Sequence, residues 1–253
     1  MARILVVGAG DIGGQLALKL VQDGHEVWAL RRSNKPIGRG VHLIQADVSE
    51  PETLLGIPSN IDILLHALKA QGQSPKHAFF TSSSSVYHQM DASWVDEESP
   101  TEPTSFAGKE LLQAEQVLAN GYIPATSVRF PGIYGPGRNR MIEQARQGGH
   151  CDPTPEVWTN RIHRDDCVGV LKFLIEKVIA GNPLEDIYLA CDSQPSTLYE
   201  ILEWMKDRIG DVEPDHELPE ATRRANRRCS NKRLVEAGYK FKFKNYQEGY
   251  EFV

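Results

Sequence analysis

Three glycines near the amino end carry a spacing suited to phosphate chemistry. Gly8, Gly10 and Gly13 read G-x-G-x-x-G and follow directly on the aliphatic run Ile4 to Val7. In such a turn the first glycine makes the bend. The second has no Cβ, so the backbone can approach a pyrophosphate. The third lets the following helix pack close to the strand. The helix N-terminus then faces the negative charge. Glycines alone are a weak signal, but a strand before them and a helical stripe after them make a strong one. Gly8, Gly10, Asp11, Ile12 and Gly13 are therefore candidates for gripping a dinucleotide.

Arg31-Arg32-Ser33 closes the second apolar stretch, His25 to Leu30. A site specific for NAD would place Asp or Glu there, on the ribose hydroxyls. Two guanidiniums and a hydroxyl suit a 2′-phosphate instead. NADP(H) is the preferred cofactor and NAD the alternative; a pair of solvated surface arginines is the bland reading. Asp47, at the end of Val41 to Asp47, either meets an adenine edge or caps a short helix from Ser49-Glu50-Pro51.

Ser82 to Tyr87 puts Ser83, Ser84 and Tyr87 just after a fifth strand, where ligands bind in open α/β sheets. The plain alternative is a serine-rich turn. Pro131 to Arg138, with Ile133 and Tyr134, leaves the sixth strand as a Gly- and Pro-rich loop at the same edge. Arg138 and Arg161 could hold an anionic substrate group or lie on the surface. His163 and Asp166, three residues apart, could pair as acid and base; capping and packing of the next helix is the favoured reading. His150-Cys151-Asp152 with Cys167 lacks tetrahedral ligand spacing, so no metal is expected.

The elements that must position these residues alternate along the chain. Strands are expected at 4–7, 25–30, 41–47, 61–66, 77–81, 125–130 and 185–190. Helices are expected from 12, from 104 or 105, and over 141–146, 168–179, 197–209 and 231–237. This alternation predicts an α/β protein, a doubly wound parallel sheet of Rossmann type. Only 10 residues, Ala67 to Lys76, join the fourth and fifth strands, short for a parallel crossover. Either that helix is a stub or residues are missing between His66 and His77.

The chain has 253 residues and a net charge of −6, with no dense basic block, which argues against nucleic acid. Arg223, Arg224, Arg227 and Arg228 come nearest and read as a solvated face. No apolar run approaches a membrane span. The chain enters its first strand at once, leaving no room for a signal peptide. Cys151, Cys167, Cys191 and Cys229 are far apart and read as reduced thiols of a cytoplasmic protein.

Val7-Gly8-Ala9-Gly10-Asp11-Ile12-Gly13, Ser82 to Tyr87, Arg129 to Arg138 and Ile162-His163-Arg164-Asp165-Asp166 together resemble the extended short-chain dehydrogenase/reductases of the NAD-dependent epimerase/dehydratase group. Val7 stands where that family's first glycine would be, which looks like an atypical subgroup. The resemblance implies a Rossmann core over 1–253 with a small C-terminal lobe, drawn mainly from 136–162 and 191–253, that covers a small-molecule substrate. It also implies cofactor contacts from Pro131 and Ile133, substrate contacts from Ser84, Arg138, Arg161 and His163, and a possible homodimer through the helices after the fourth and fifth strands. The family's chemistry uses Ser, Tyr and Lys. Ser83 falls on the serine, but Ala107 and Leu111 fall on the tyrosine and lysine. Serine alone is too weak an acid to replace a phenol, so Tyr87 and Tyr134 are the candidate substitutes. Two functions follow: an NADP(H)-dependent oxidoreductase or epimerase of a small polar, sugar-like substrate with a non-standard acid, or a nucleotide-binding sensor without turnover.

Overall fold

The structure is a computed structural model that describes residues 1–65, 75–218 and 226–250. The aliphatic run after Arg3 forms β1 (Arg3–Val7), buried from Ile4 onward. α1 (Asp11–Gln22) buries Gly13, Leu16, Ala17 and Leu20, a spacing that puts one stripe on the core. Then come β2 (Glu26–Arg31), β3 (Val41–Gln45), β4 (Ile63–Leu65), β5 (His77–Ser83), β6 (Trp94–Val95) and α2 (Phe106–Ala119). β7 (Ala125–Phe130), β8 (Gly132–Tyr134), α3 (Arg140–Arg146), β9 (Gly149–His150), β10 (Trp158–Thr159), β11 (Arg161–His163) and α4 (Arg164–Ile179) follow. The chain continues through β12 (Ile187–Leu189), β13 (Ser196–Thr197), α5 (Leu198–Ile209), β14 (His216–Glu217), β15 (Arg228–Cys229), α6 (Lys232–Glu236) and α7 (Tyr246–Gly249).

Seven strands form one sheet in the order β3-β2-β1-β4-β5-β7-β12. The pairs β1–β2, β1–β4, β2–β3 and β4–β5 are all parallel. The chain builds outward from β1 to β3, then returns to place β4 on the other side of β1. This is the doubly wound Rossmann-type order that the sequence predicts, and its reversal point opens a crevice beyond the strands' carboxyl ends.

The chain divides into two compact units. The first comprises Met1–Ser82, Leu111–Arg129 and Cys167–Tyr188. One of its cores packs Leu5, Val7, Leu30, Ala46, Ile61 and Leu64. Fully burying each such aliphatic side chain contributes about 1.5–3 kcal/mol. An ion pair is buried here too. Arg129 donates from Nε to Glu115 Oε1 at 3.0 Å and from a terminal nitrogen to Oε2 at 2.7 Å.

The second unit comprises Ser83–Glu110, Phe130–Asp166 and Leu189–Val253. Its core gathers Tyr134, Ile142, Leu198, Ile201, Leu202, Met205, Tyr246 and Tyr250. Two asparagines bind the segments 156–160 and 226–229 together. Asn160 donates to Arg227 O and accepts from Cys229 N. Asn226 donates to Glu156 O and accepts from Trp158 N. Each amide thus does for the backbone what a ladder strand would do.

Several expectations need correction. The stretch from Pro131 to Arg138 is not all loop: β8 pairs in parallel with β11. α4 starts at Arg164, earlier than Val168, and β3 stops at Gln45, short of Asp47. No strand is expected at 94–95, yet β6 forms there and pairs with β15. Arg227 and Arg228 do not form a solvated face. Arg227 is buried and donates to Ser84 O at 2.7 Å. The Arg228 guanidinium lies 5.2 Å from the ring centroids of both Trp94 and Trp158. Arg223 and Arg224, like most of the short connection after β4, lie outside the described residues.

Candidate functional site

In the first unit the glycine turn has the geometry its spacing predicts. Gly8 takes φ +80°, a backbone conformation glycine adopts without penalty. The amides of Gly8 and Ala9 both donate to Leu30 O at 3.0 Å, tying the turn to β2. An added Cβ on Gly13 would meet Gly8 O at 2.7 Å and Val6 Cγ1 at 3.2 Å. That contact enforces the close approach of helix and strand. Gly10 differs: a Cβ there would meet nothing nearer than Gly8 O at 4.0 Å. The fold leaves this space open, and Gly10 lines the cavity beside it. Gly10 is also the N-cap of α1 and supplies no side-chain cap to its first amides.

That cavity has a volume of about 710 Å³ and is lined by Val7 to Gly10, Leu30 to Ser33 and Ala46 to Val48. It brings together Gly8, Gly10, Arg31, Arg32, Ser33 and Asp47 from the expected set. Asp11, Ile12 and Gly13 stand in the first turn of α1. Asp47 Oδ1 accepts from the amide of Ser49 at 3.0 Å and from its hydroxyl at 2.7 Å. These two bonds, with a smaller contribution from the Arg32 charge, hold its carboxyl below the usual range. The carboxylate therefore organises the turn into a short 3₁₀ helix at Pro51–Gly56 while facing the cavity. A diphosphate with a phosphorylated ribose fits this donor set: an open backbone turn, an uncapped helix start and two guanidiniums.

The second unit holds the hydroxyl cluster. Ser83 is half-buried, and its Oγ accepts from Ser85 N at 3.1 Å, capping the 3₁₀ turn Ser84–Val86. That turn packs on the start of α2, where a Cβ on Gly108 would meet Ser85 O at 2.6 Å. Ala107 is exposed, and Ser84 is buried at 9% exposure. Tyr87 and Tyr134 both point inward at 2% exposure. The Tyr87 hydroxyl donates to Asp96 O at 2.6 Å, and that of Tyr134 to Asn245 O at 3.1 Å. Burial foremost, and then Asp192, pushes the Tyr134 phenol far above its ordinary range. Both contacts hold the fold together and leave neither phenol presented to a crevice.

His163 and Asp166 also work inside the fold. The His163 ring, 4.0 Å from Phe243 and 5.2 Å from Tyr134, accepts from Asp165 N at 3.1 Å. Burial holds its pKa down. Asp166 is fully buried and accepts from Tyr239 Oη and Lys242 N at 2.8 Å and from Phe243 N at 3.0 Å. Arg161 is buried, not surface, and donates to Thr159 Oγ1 at 2.6 Å. Arg138 is half-buried; Pro131 is buried; Ile133 sits in register with Ile162.

Asp192 escaped the sequence reading. It is 2% exposed, and Oδ2 has no hydrogen-bond partner among the described residues. Loss of solvent raises its pKa to about 7, although the Arg161 charge and the Gln194 amide pull it down. The only signal in the chain is an acid directly after the apolar run that ends in Cys191. All four cysteines are free and buried, and burial raises the Cys191 and Cys229 thiols. Among the described residues no cluster of His, Cys, Asp or Glu could hold a metal ion, and no helix is long and apolar enough to cross a membrane.

A structure from Methylobacillus flagellatus, assigned as an NAD-dependent epimerase/dehydratase, is 37% identical to this chain, covers 98% of it and 96% of its own length, and superposes with a TM-score of 0.83. The chain belongs to the NAD-dependent epimerase/dehydratase family. The fold persists at much lower identity. A UDP-glucose 4-epimerase from Thermotoga maritima, solved with UDP-glucose, is 16% identical with a TM-score of 0.79, over 98% of this chain and 96% of that one. A 2-alkyl-3-oxoalkanoate reductase from Stenotrophomonas maltophilia is 27% identical over 188 residues, 58% of this chain and 56% of the reductase. The match spans little more than half the length of that curated relative. No family model matches the chain.

Proposed function

We propose that this family member binds NADP(H) and acts as an oxidoreductase or epimerase on a small polar, sugar-like substrate. The observation that carries the reading is the space at Gly10. The backbone there is bare, and no neighbouring atom would crowd a Cβ. Arg31, Arg32 and Ser33 line the same cavity and would take the 2′-phosphate, while the first turn of α1 would take the diphosphate. A cofactor held there would supply or accept a hydride. Ser83 would polarise a substrate oxygen and Arg138 would hold a polar substituent. A homodimer is part of the same proposal, supported by exposed Phe106 and Val117, eleven residues apart on one face of α2. The four free thiols support a cytoplasmic setting.

A second reading has its own support. Ala107 and Leu111 replace the expected phenol and amine, and the hydroxyls of Tyr87 and Tyr134 are engaged within the fold. On this reading the chain binds NADP(H) and reports it without turnover. Calorimetric titration with NADPH and NADH, followed by a carbonyl panel monitored for NADPH oxidation, separates the two. NADPH should bind at least tenfold more tightly, and Arg31→Ala with Arg32→Ala should erase the difference. Equal affinities in the unmodified protein reject the phosphate assignment. Binding without any oxidation selects the sensor.

A further inference from the structure

A second cavity, wholly within the second unit, has a volume of about 550 Å³. We propose that it binds a neutral polyhydroxylated ring, a sugar or a cyclic polyol. The site is built from the sequence upward. Glu200, Trp204 and Asp207 follow each other at intervals of four and three in α5, so one helix face presents all three. A capping box fixes the start of that helix: Thr197 Oγ1 accepts from Glu200 N at 3.2 Å, and Glu200 Oε2 accepts from Thr197 N at 2.8 Å. The opposite wall is Trp158, paired with Thr197 across β10 and β13. The Trp158 amide is further held by Asn226 Oδ1 at 2.8 Å. Tyr246, at the start of α7, closes the site with its ring edge-on to Trp204 at 5.1 Å.

The lining chemistry decides the class of ligand. The half-buried rings of Trp158 and Trp204 offer apolar surface. Two carboxylates and the amides of Gln194 and Gln247 offer acceptors and donors side by side. An anion would face Glu200 and Asp207 with no lysine or arginine among the lining residues. An organic cation would compete with guanidiniums already seated on the same rings: Arg208 at 4.0 Å from Trp204, Arg228 at 5.2 Å from Trp158 and Arg161 at 5.5 Å from Tyr246. It would also have no use for the amide donors. A neutral ring with an apolar face and a rim of hydroxyls, each both donor and acceptor, meets all of these groups. The volume suits a ligand of one or two rings.

This binding needs no nucleotide and stands apart from the proposed hydride chemistry. Its test is therefore run on the full chain without NADP(H). Saturation-transfer NMR and tryptophan fluorescence would be recorded with methyl glycosides, myo-inositol, choline and inorganic phosphate as probes. The expected result is saturable millimolar binding of at least one neutral ring, weakened tenfold or more by Trp204→Leu and by Asp207→Asn. Asp207 is exposed, so its variant should fold; circular dichroism confirms that for both. Binding of choline or phosphate in preference to every neutral ring overturns the proposal. So does the absence of any neutral-ring binding at about 100 mM, a hundredfold above a 1 mM Kd, or binding that both variants leave unchanged.

Discussion

Substituting alanine at Gly10 and at Gly13 should separate ligand recognition from folding within one turn. At Gly13 the new Cβ falls 2.7 Å from a backbone oxygen and 3.2 Å from Val6 Cγ1. Backbone cannot yield as a flexible side chain would, so α1 must shift away from β1. Overpacking of this kind costs about 1–3 kcal/mol. At Gly10 the same methyl meets only an oxygen at 4.0 Å and enters the cavity. The fold should lose less than about 1 kcal/mol. A diphosphate approaching the turn would be pushed back and lose one or two charge-assisted hydrogen bonds. At about 1.5–3 kcal/mol each, that loss weakens NADPH binding on the order of 100-fold. Urea melts give the stabilities and calorimetry gives the affinities. The reasoning is refuted if Gly10→Ala binds NADPH as the parent does, or if it unfolds as readily as Gly13→Ala.

Three further outcomes follow from buried charges and one buried turn. Glu115→Ala should destabilise the protein by about 3–5 kcal/mol, because it removes the carboxylate that pairs with the buried Arg129; Glu115→Leu with Arg129→Met should recover most of that in the same urea melt. Asp192 has a folded pKa of about 7 against an ordinary 3.8, so its contribution to stability is full below pH 4 and is lost as pH rises through 7. Between pH 5 and 8 the loss should be about 2–3 kcal/mol, and Asp192→Asn should flatten it; a parallel pH dependence in both proteins would show that another group is responsible. Gly108→Ala should lower stability by about 1–3 kcal/mol because its Cβ would meet the Ser85 carbonyl at 2.6 Å; an unchanged melting temperature would mean the turn and helix can part.

The sheet strands and long helices were legible because each carries its own period or an unbroken apolar run. β1 buries four consecutive aliphatics, β2 buries Val27, Ala29 and Leu30, and the α1 stripe repeats at helical spacing. The glycine turn was legible for a different reason: its spacing encodes a backbone path. Helices α3, α5 and α6 of the second unit were legible too, but its short strands were not. Strands of two or three residues, such as β6 and β15, carry no period, and their partners lie more than a hundred residues away. The side-chain roles were hidden for the same reason. Tyr87 and Tyr134 have residue types that suggest chemistry, but their hydrogen-bond partners, Asp96 O and Asn245 O, are set by loops with no local signature. Arg129 did leave a trace, as the one charge in a strand that is otherwise uncharged, which calls for a buried acid.

The two asparagines that join 156–160 to 226–229 have a consequence for how this protein ages. Each side chain gives one hydrogen and takes one, so neither end can be exchanged without loss. Deamidation turns the donating nitrogen into an oxygen and adds a negative charge opposite a carbonyl. The gain of a single mass unit at residue 160 or 226 would therefore unfasten the strip that carries Arg227 and Arg228. Stored samples should lose that strip's protection from proteases before they lose their helices.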